Sequence, residues 1–280
     1  MNGWGLALPP DLTPHHGLPD QVVRLGKARV TRAGLDYVVA ACVSLARLGG
    51  AAQFVVTPNI QHIALLERDV VFAGAYDRAW LQLPDGWPVA RAVSWLAGER
   101  VPRLAGSDLL PRLVDAAAQE DLSVGVVGGR PGSAEAAVAA WRMVHPSLRV
   151  PVIACPTFSP DGASSDVDLL LSILDSEPVD FLLLALGTPK SEKLLAAAMD
   201  RLTCRVAFSV GAAIDFEAGA VYRAPKLMRA TGTEWLYRLV QEPRRLAGRY
   251  AKSVGPFAAV TFRERRRVHD SPISQAKVRE

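Results

Sequence analysis

Cysteine is nearly missing from this chain: Cys42, Cys155 and Cys204 are the only three in 280 residues. They are odd in number, far apart and part of no CxxC or Cys/His spacing, which argues against a disulfide framework and against a zinc site. A reducing compartment suits them best. The N-terminus, MNGWGLALPPDLTPHHG, has no basic run followed by an apolar one, so no secretory signal is expected. The longest apolar stretches, near residues 181–186 and 255–260, fall well short of the roughly 20 residues that span a bilayer. GxGxxG and GxxxxGK[ST] are absent, which counts against a dinucleotide-binding oxidoreductase and against a P-loop enzyme. The only DxD, Asp166-Val-Asp168, follows DGASS and opens a helical run, so it reads as acidic helix N-terminal chemistry rather than a metal motif.

What is present is half apolar, enough to bury the core of one large domain with an appendage. The net charge of +4 conceals an asymmetry. Residues 220–267 hold twelve basic side chains against three acidic ones, a net of +9, which leaves residues 1–219 at about −5. Basicity confined to one end suits an anionic membrane surface or a phosphate-bearing ligand better than a chain-wide nucleic-acid surface.

Apolar β-rich runs alternate with helical ones: QFVVT (53–57) and a helix from about Ile60, LSVGVVG (122–128) and a helix over Ser133–Val144, RVPVIAC (149–155), DFLLLALG (180–187) and a helix from about Lys190, then RVAFSVG (205–211). Short apolar strands followed by helices predict an α/β fold, a Rossmann-like, mostly parallel sheet with helices on both faces. Residues 1–20 are expected to be loose and 21–221 to form the α/β domain. A basic amphipathic appendage is expected over 222–267 and a disordered tail over 268–280. Within the appendage Trp235, Leu236, Leu239 and Val240 fall at helical spacing and predict one apolar face, broken near Pro243.

In such sheets ligands collect where strands run out into loops, and four of these loops stand out. TPNIQH (57–62) sets hydroxyl, amide and imidazole groups side by side. LPDG (83–86) puts the Asp85 carboxylate next to a glycine, a pair that is on its own a common turn. VGGRPGSAE (127–135) is a glycine-rich turn opening a helix, an arrangement that offers N–H groups to phosphate. LGTPKSEK (186–193) repeats it and adds a lysine.

Together with ERVPRLAGSDLLP (99–111) and VGAAIDFEAGAVYRAPKLMRATGTEWLYRLVQEPRRLAGRY (210–250), these loops resemble the WecG/TagA/CpsF glycosyltransferases over nearly the whole chain. The resemblance implies an inverting, metal-independent transfer from a UDP-sugar to an undecaprenyl-diphosphate-linked saccharide, on the cytoplasmic face of the membrane. It implies Asp85 as general base, Thr57 and Asn59 in the same pocket, and Arg100 at a donor-binding position. Gly128, Gly129, Gly187 and Lys190 would meet the donor or acceptor. Arg238, Arg244, Arg245 and Arg249 would meet the membrane or the acceptor diphosphate. No cofactor and no nucleic acid is expected, and a homo-oligomer is compatible with the sequence. One departure is Ser191, which stands where the family usually has glutamine. Another is Gln61, where an acidic residue is common. Serine is shorter and offers a single hydroxyl, so recognition of the donor sugar is expected to differ here.

Overall fold

A computed structural model describes residues 21–159, 164–175 and 177–270, with the side chains of Lys226, Ala230 and Arg245 outside that description. The loose N-terminus expected over 1–20 and most of the tail expected over 268–280 therefore lie outside the described residues.

The body is a six-stranded, all-parallel sheet in the order β4-β3-β8-β7-β5-β6. Its strands are β3 (Gln53–Val56), β4 (Leu81–Gln82), β5 (Val124–Gly128), β6 (Val152–Ala154), β7 (Phe181–Ala185) and β8 (Val206–Ser209). The three central strands are buried at every position, as continuous apolar runs covered on both faces must be. Alternate side chains enter two separate cores. Phe54, Val56, Leu182 and Leu184 face one, whereas Val55, Phe181, Leu183 and Phe208 face the other. In the second core Phe181 and Phe208 meet edge to face at 5.6 Å, a geometry that adds about 0.5–1.5 kcal/mol beyond burial.

Helices α2 (Ile60–Leu66), α3 (Val70–Asp77), α4 (Trp87–Ala97), α7 (Ser164–Leu174) and α8 (Lys190–Ala198) cover the first core. Helices α1 (Leu35–Leu48), α5 (Gly106–Gln119), α6 (Ser133–Val144) and α9 (Ala213–Glu217) cover the second. An N-terminal hairpin, β1 (Val22–Leu25) with β2 (Ala28–Thr31), was not apparent from the residue pattern. It turns at Gly26, whose φ is +64°, and a β-carbon there would lie 2.6 Å from Glu67 Oε1 and 2.8 Å from Val260 Cγ1. Only glycine fits both the backbone and the space.

The C-terminal segment forms α10 (Lys226–Thr231), α11 (Glu234–Gln241) and α12 (Pro243–His269). The chain breaks at Glu242 (φ −132°, ψ 59°), and Pro243 takes the first position of α12, where its missing N–H costs nothing. This helix then continues through Pro256, on its exposed side, and buries Leu246, Ser253, Val260 and Glu264 against the body. The apolar face expected on α11 does not enter a core: none of its residues is buried, and Trp235, Leu236 and Val240 stand in solvent. Amphipathic spacing identifies a face but not what covers it. Among the described residues no helix is long and apolar enough to cross a membrane.

Candidate active site

From β5 the chain leaves over one face through α6 toward β6, and from β7 over the other through α8 toward β8. The strand order thus reverses between β5 and β7, which in open α/β sheets is where ligands bind. The loops flanking this crevice are VGGRPGS and LGTPK. They touch at Gly128, where φ is +98° and a β-carbon would lie 2.9 Å from the carbonyl carbon and oxygen of Ala185. Gly128 therefore serves close packing of the two strand ends.

The glycine turn offers fewer N–H groups to a phosphate than its composition predicts. Gly129 N–H donates to Ala185 O (2.9 Å), Arg130 N–H to Asp215 Oδ1 (3.0 Å) and Ser133 N–H to Arg130 O (2.9 Å). What remains for a ligand is the first turn of α6. On the other side of the crevice Gly187 has φ +77° and accepts from Ser191 N–H, and Lys190 Nζ donates to Phe158 O (3.2 Å). Ser191 itself is fully buried. Its hydroxyl accepts from Leu186 N–H (3.1 Å) and donates to Leu184 O (3.4 Å), so it secures the end of β7 and is not presented to a donor sugar.

The TPNIQH loop runs from β3 into α2. Thr57 is buried, and Asn59 caps the helix: its Oδ1 accepts from Gln61 N–H (3.0 Å) and His62 N–H (3.4 Å), leaving only its amide NH₂ for a ligand. The LPDG loop lies against it, with Asp85 N–H donating to Pro58 O (2.9 Å). Asp85 is half-buried, and among the described residues no donor is hydrogen-bonded to its carboxylate. Burial in dense protein pushes its carboxyl up to about 6. Arg103 and Arg238 pull the other way, and Glu234 and Asp108 add smaller upward contributions.

Arg103 was not singled out by sequence. It bridges Asp108 Oδ2 (2.6 Å) and Glu234 Oε2 (2.9 Å), tying the segment before α5 to α11 beside Asp85. Arg100, expected at a donor-binding position, is exposed on the wall of a neighbouring groove. Two arginines three positions apart in ERVPRLAG look alike in one dimension, and only the fold decides which turns inward.

Helix α11 and the start of α12 roof the crevice. Arg238 stacks on Phe216, 5.5 Å from the ring centroid, with its charge directed at Asp85. Arg130 at the glycine turn pairs with Glu242 (2.7 Å) at the α11–α12 junction. Arg249 stacks on Tyr250 and bears on His62, while Arg244 is exposed and the Arg245 side chain lies outside the described residues.

Below the loops runs a buried polar chain that the sequence did not reveal. His62 Nδ1 meets Tyr76 Oη at 2.6 Å and Nε2 meets Thr188 Oγ1 at 2.5 Å. Thr188 Oγ1 donates to Glu192 Oε1 (3.4 Å), which also accepts from Ser209 Oγ (2.7 Å). Burial raises the Glu192 carboxyl, and its Oε2 has no hydrogen-bond partner among the described residues.

The acids of the DxD lie elsewhere and are engaged separately. Asp166 accepts from Ser159 N–H (3.0 Å), and Asp168 pairs with Arg201 (2.9 Å). Among the described residues no group of three or more His, Cys, Asp or Glu side chains is placed to hold a metal ion.

A carboxyl raised to about 6, held on the loop after β4 and under the influence of two guanidiniums, is equipped for proton removal beside an anionic ligand. Over residues 23–271 the chain matches the family model described as glycosyl transferase WecG/TagA/CpsF family. It belongs to that family, and is a sugar-transferring enzyme of cell-surface polysaccharide synthesis.

Proposed function

We propose that this enzyme moves a hexose or N-acetylhexosamine from a UDP-sugar to an undecaprenyl-diphosphate-linked saccharide, with inversion and without a metal, at the inner face of the plasma membrane. The observation that carries the reading is Asp85: half-buried, raised to about 6, without a hydrogen-bond donor on its carboxylate among the described residues, and under the influence of Arg103 and Arg238. The acceptor hydroxyl oxygen attacks the anomeric carbon as its proton passes to Asp85. The bond from that carbon to the UDP oxygen breaks on the opposite face, and UDP leaves with the electron pair. Charge growing on the departing diphosphate is met by the first turn of α6 and by Lys190 across the crevice. The exposed Trp235, Leu236 and Val240 of α11, set in a strongly basic segment, support reversible docking on an anionic leaflet, where each nearby cation contributes on the order of 1 kcal/mol.

The test is a panel of UDP-sugars assayed against a lipid-diphosphate-linked acceptor, with EDTA present and absent. Turnover of one donor, unchanged by chelator and giving the inverted anomer, is the expected result. Turnover abolished by EDTA, or Asp85→Asn at full activity, overturns the corresponding part of the reading.

A further inference from the structure

Next to the Asp85 loop, and sharing Arg103 with that site, lies an open groove of about 1170 Å³. One wall is a single face of α4, formed by Trp87, Ala90, Arg91, Ser94 and Trp95 at positions one and two turns apart. The opposite side is closed by the loop carrying Arg100 and Arg103, by Arg229 of α10 and by Arg265 of α12. Five guanidiniums therefore line one groove. Arg103 is neutralised by Asp108 and Glu234, and the groove's one acid, Glu99, is paired with Arg32. Arg91, Arg100, Arg229 and Arg265 have no carboxylate partner among the described residues.

The two ends of the groove differ. Trp87 begins α4 two residues after Asp85, whereas Trp95 lies about 12 Å further along the helix at 1.5 Å per residue. Trp95 is 43% exposed, meets the exposed Phe262 edge to face at 5.8 Å, and carries the Arg265 guanidinium 5.0 Å above its ring. The groove thus starts two residues past Asp85 at one end, is cationic along its length, and is aromatic and outward-facing at the other. Unpaired guanidiniums held together repel one another, and an anion bearing more than one charge relieves that repulsion while taking paired N–H donors.

We infer that this groove holds the acceptor by its diphosphate, with Arg91 and Arg100 on the phosphates, the saccharide directed toward Asp85 and the prenyl chain leaving past Trp95 and Phe262. This rests on the lipid-linked acceptor proposed above. It assigns the acceptor to the α4 face, apart from the crevice between β5 and β7 that the donor nucleotide occupies.

The experiment is calorimetric titration of the full chain and of the Arg91→Gln/Arg100→Gln double variant with farnesyl diphosphate and, separately, with UDP. Both arginines are exposed and have no side-chain partner among the described residues, so the fold stands without them. Farnesyl diphosphate affinity should fall about tenfold or more, the loss expected for charge-assisted hydrogen bonds, with UDP affinity unchanged. Trp95→Ala should weaken farnesyl diphosphate but not inorganic pyrophosphate. Unchanged farnesyl diphosphate affinity in the double variant overturns the assignment, as does an equal loss for UDP. Loss confined to phosphatidylglycerol vesicles lacking prenyl diphosphate also overturns it, since that would mark a general membrane patch. A wild-type chain that binds no UDP instead removes the transferase reading beneath it.

Discussion

His62 and Thr188, 126 residues apart in the chain, are joined by a hydrogen bond of 2.5 Å that ties the first ligand-facing loop to the last. Burial, and then the charge of Arg249, hold the His62 ring down to about 3, so it is neutral and uses one nitrogen as donor and the other as acceptor. Replacing His62 by alanine leaves the hydroxyls of Tyr76 and Thr188 without this partner, and a loss of about 2–4 kcal/mol in urea unfolding is expected. The pH dependence carries a second signature. The unfolded imidazole takes up a proton near its usual 6.5 while the folded one resists to about 3, so wild-type stability should fall as pH drops from 6.5. In the variant that part of the slope should vanish.

The activity profile reports on Asp85 in a different way. A base must be ionised, so kcat/KM should decline as pH falls through about 6, and Asp85→Asn should cost about 10²- to 10⁴-fold at neutral pH. Because Arg103 is the strongest influence holding the Asp85 carboxyl down, Arg103→Gln should carry the acid limb above 6. An acid limb unmoved in that variant would mean that another group governs the profile. Stability responds with the opposite sign to activity. A carboxyl raised in the folded state destabilises as pH climbs from about 4 to about 6, so Asp85→Asn should melt higher than wild type at pH 7 and equally at pH 3.5.

At Gly128 the expected effect is structural. Alanine there combines a φ of +98° with a β-carbon 2.9 Å from Ala185 backbone atoms, which cannot retreat without parting β5 from β7. Strain and overpacking together should cost about 3 kcal/mol or more, visible as a fall in melting temperature. Gly187→Ala meets no atom within 4 Å and carries only the backbone penalty of its φ of +77°, so it should be milder.

The central sheet was legible because its strands are buried on both faces and read as uninterrupted apolar runs. The starts of α6 and α8 were legible because glycine or proline stands immediately before each. β4 was not: two residues make a strand only through pairing with Val55 and Val56, a relation with no local signal. The same holds at the site. Asp85 could be singled out because it shares its neighbourhood with other unusual loops, but the roles of Arg103 and His62 are defined by partners more than 100 residues away, and that of Glu192 by Ser209 on the neighbouring strand β8. Ser191 misled, since a residue type at a familiar position says nothing about whether its side chain faces ligand or core.

Trp87, next but one to the proposed base, donates its indole N–H to Arg229 O (2.7 Å), and its Cγ lies 2.7 Å from where a β-carbon on Gly232 would stand. The turn that launches α11 is therefore moulded around a side chain of the base-bearing loop. Grafting the helical appendage of a relative onto this body would carry a turn shaped for some other ring, and chimeras that exchange the appendage should work best when the 85–87 segment travels with it.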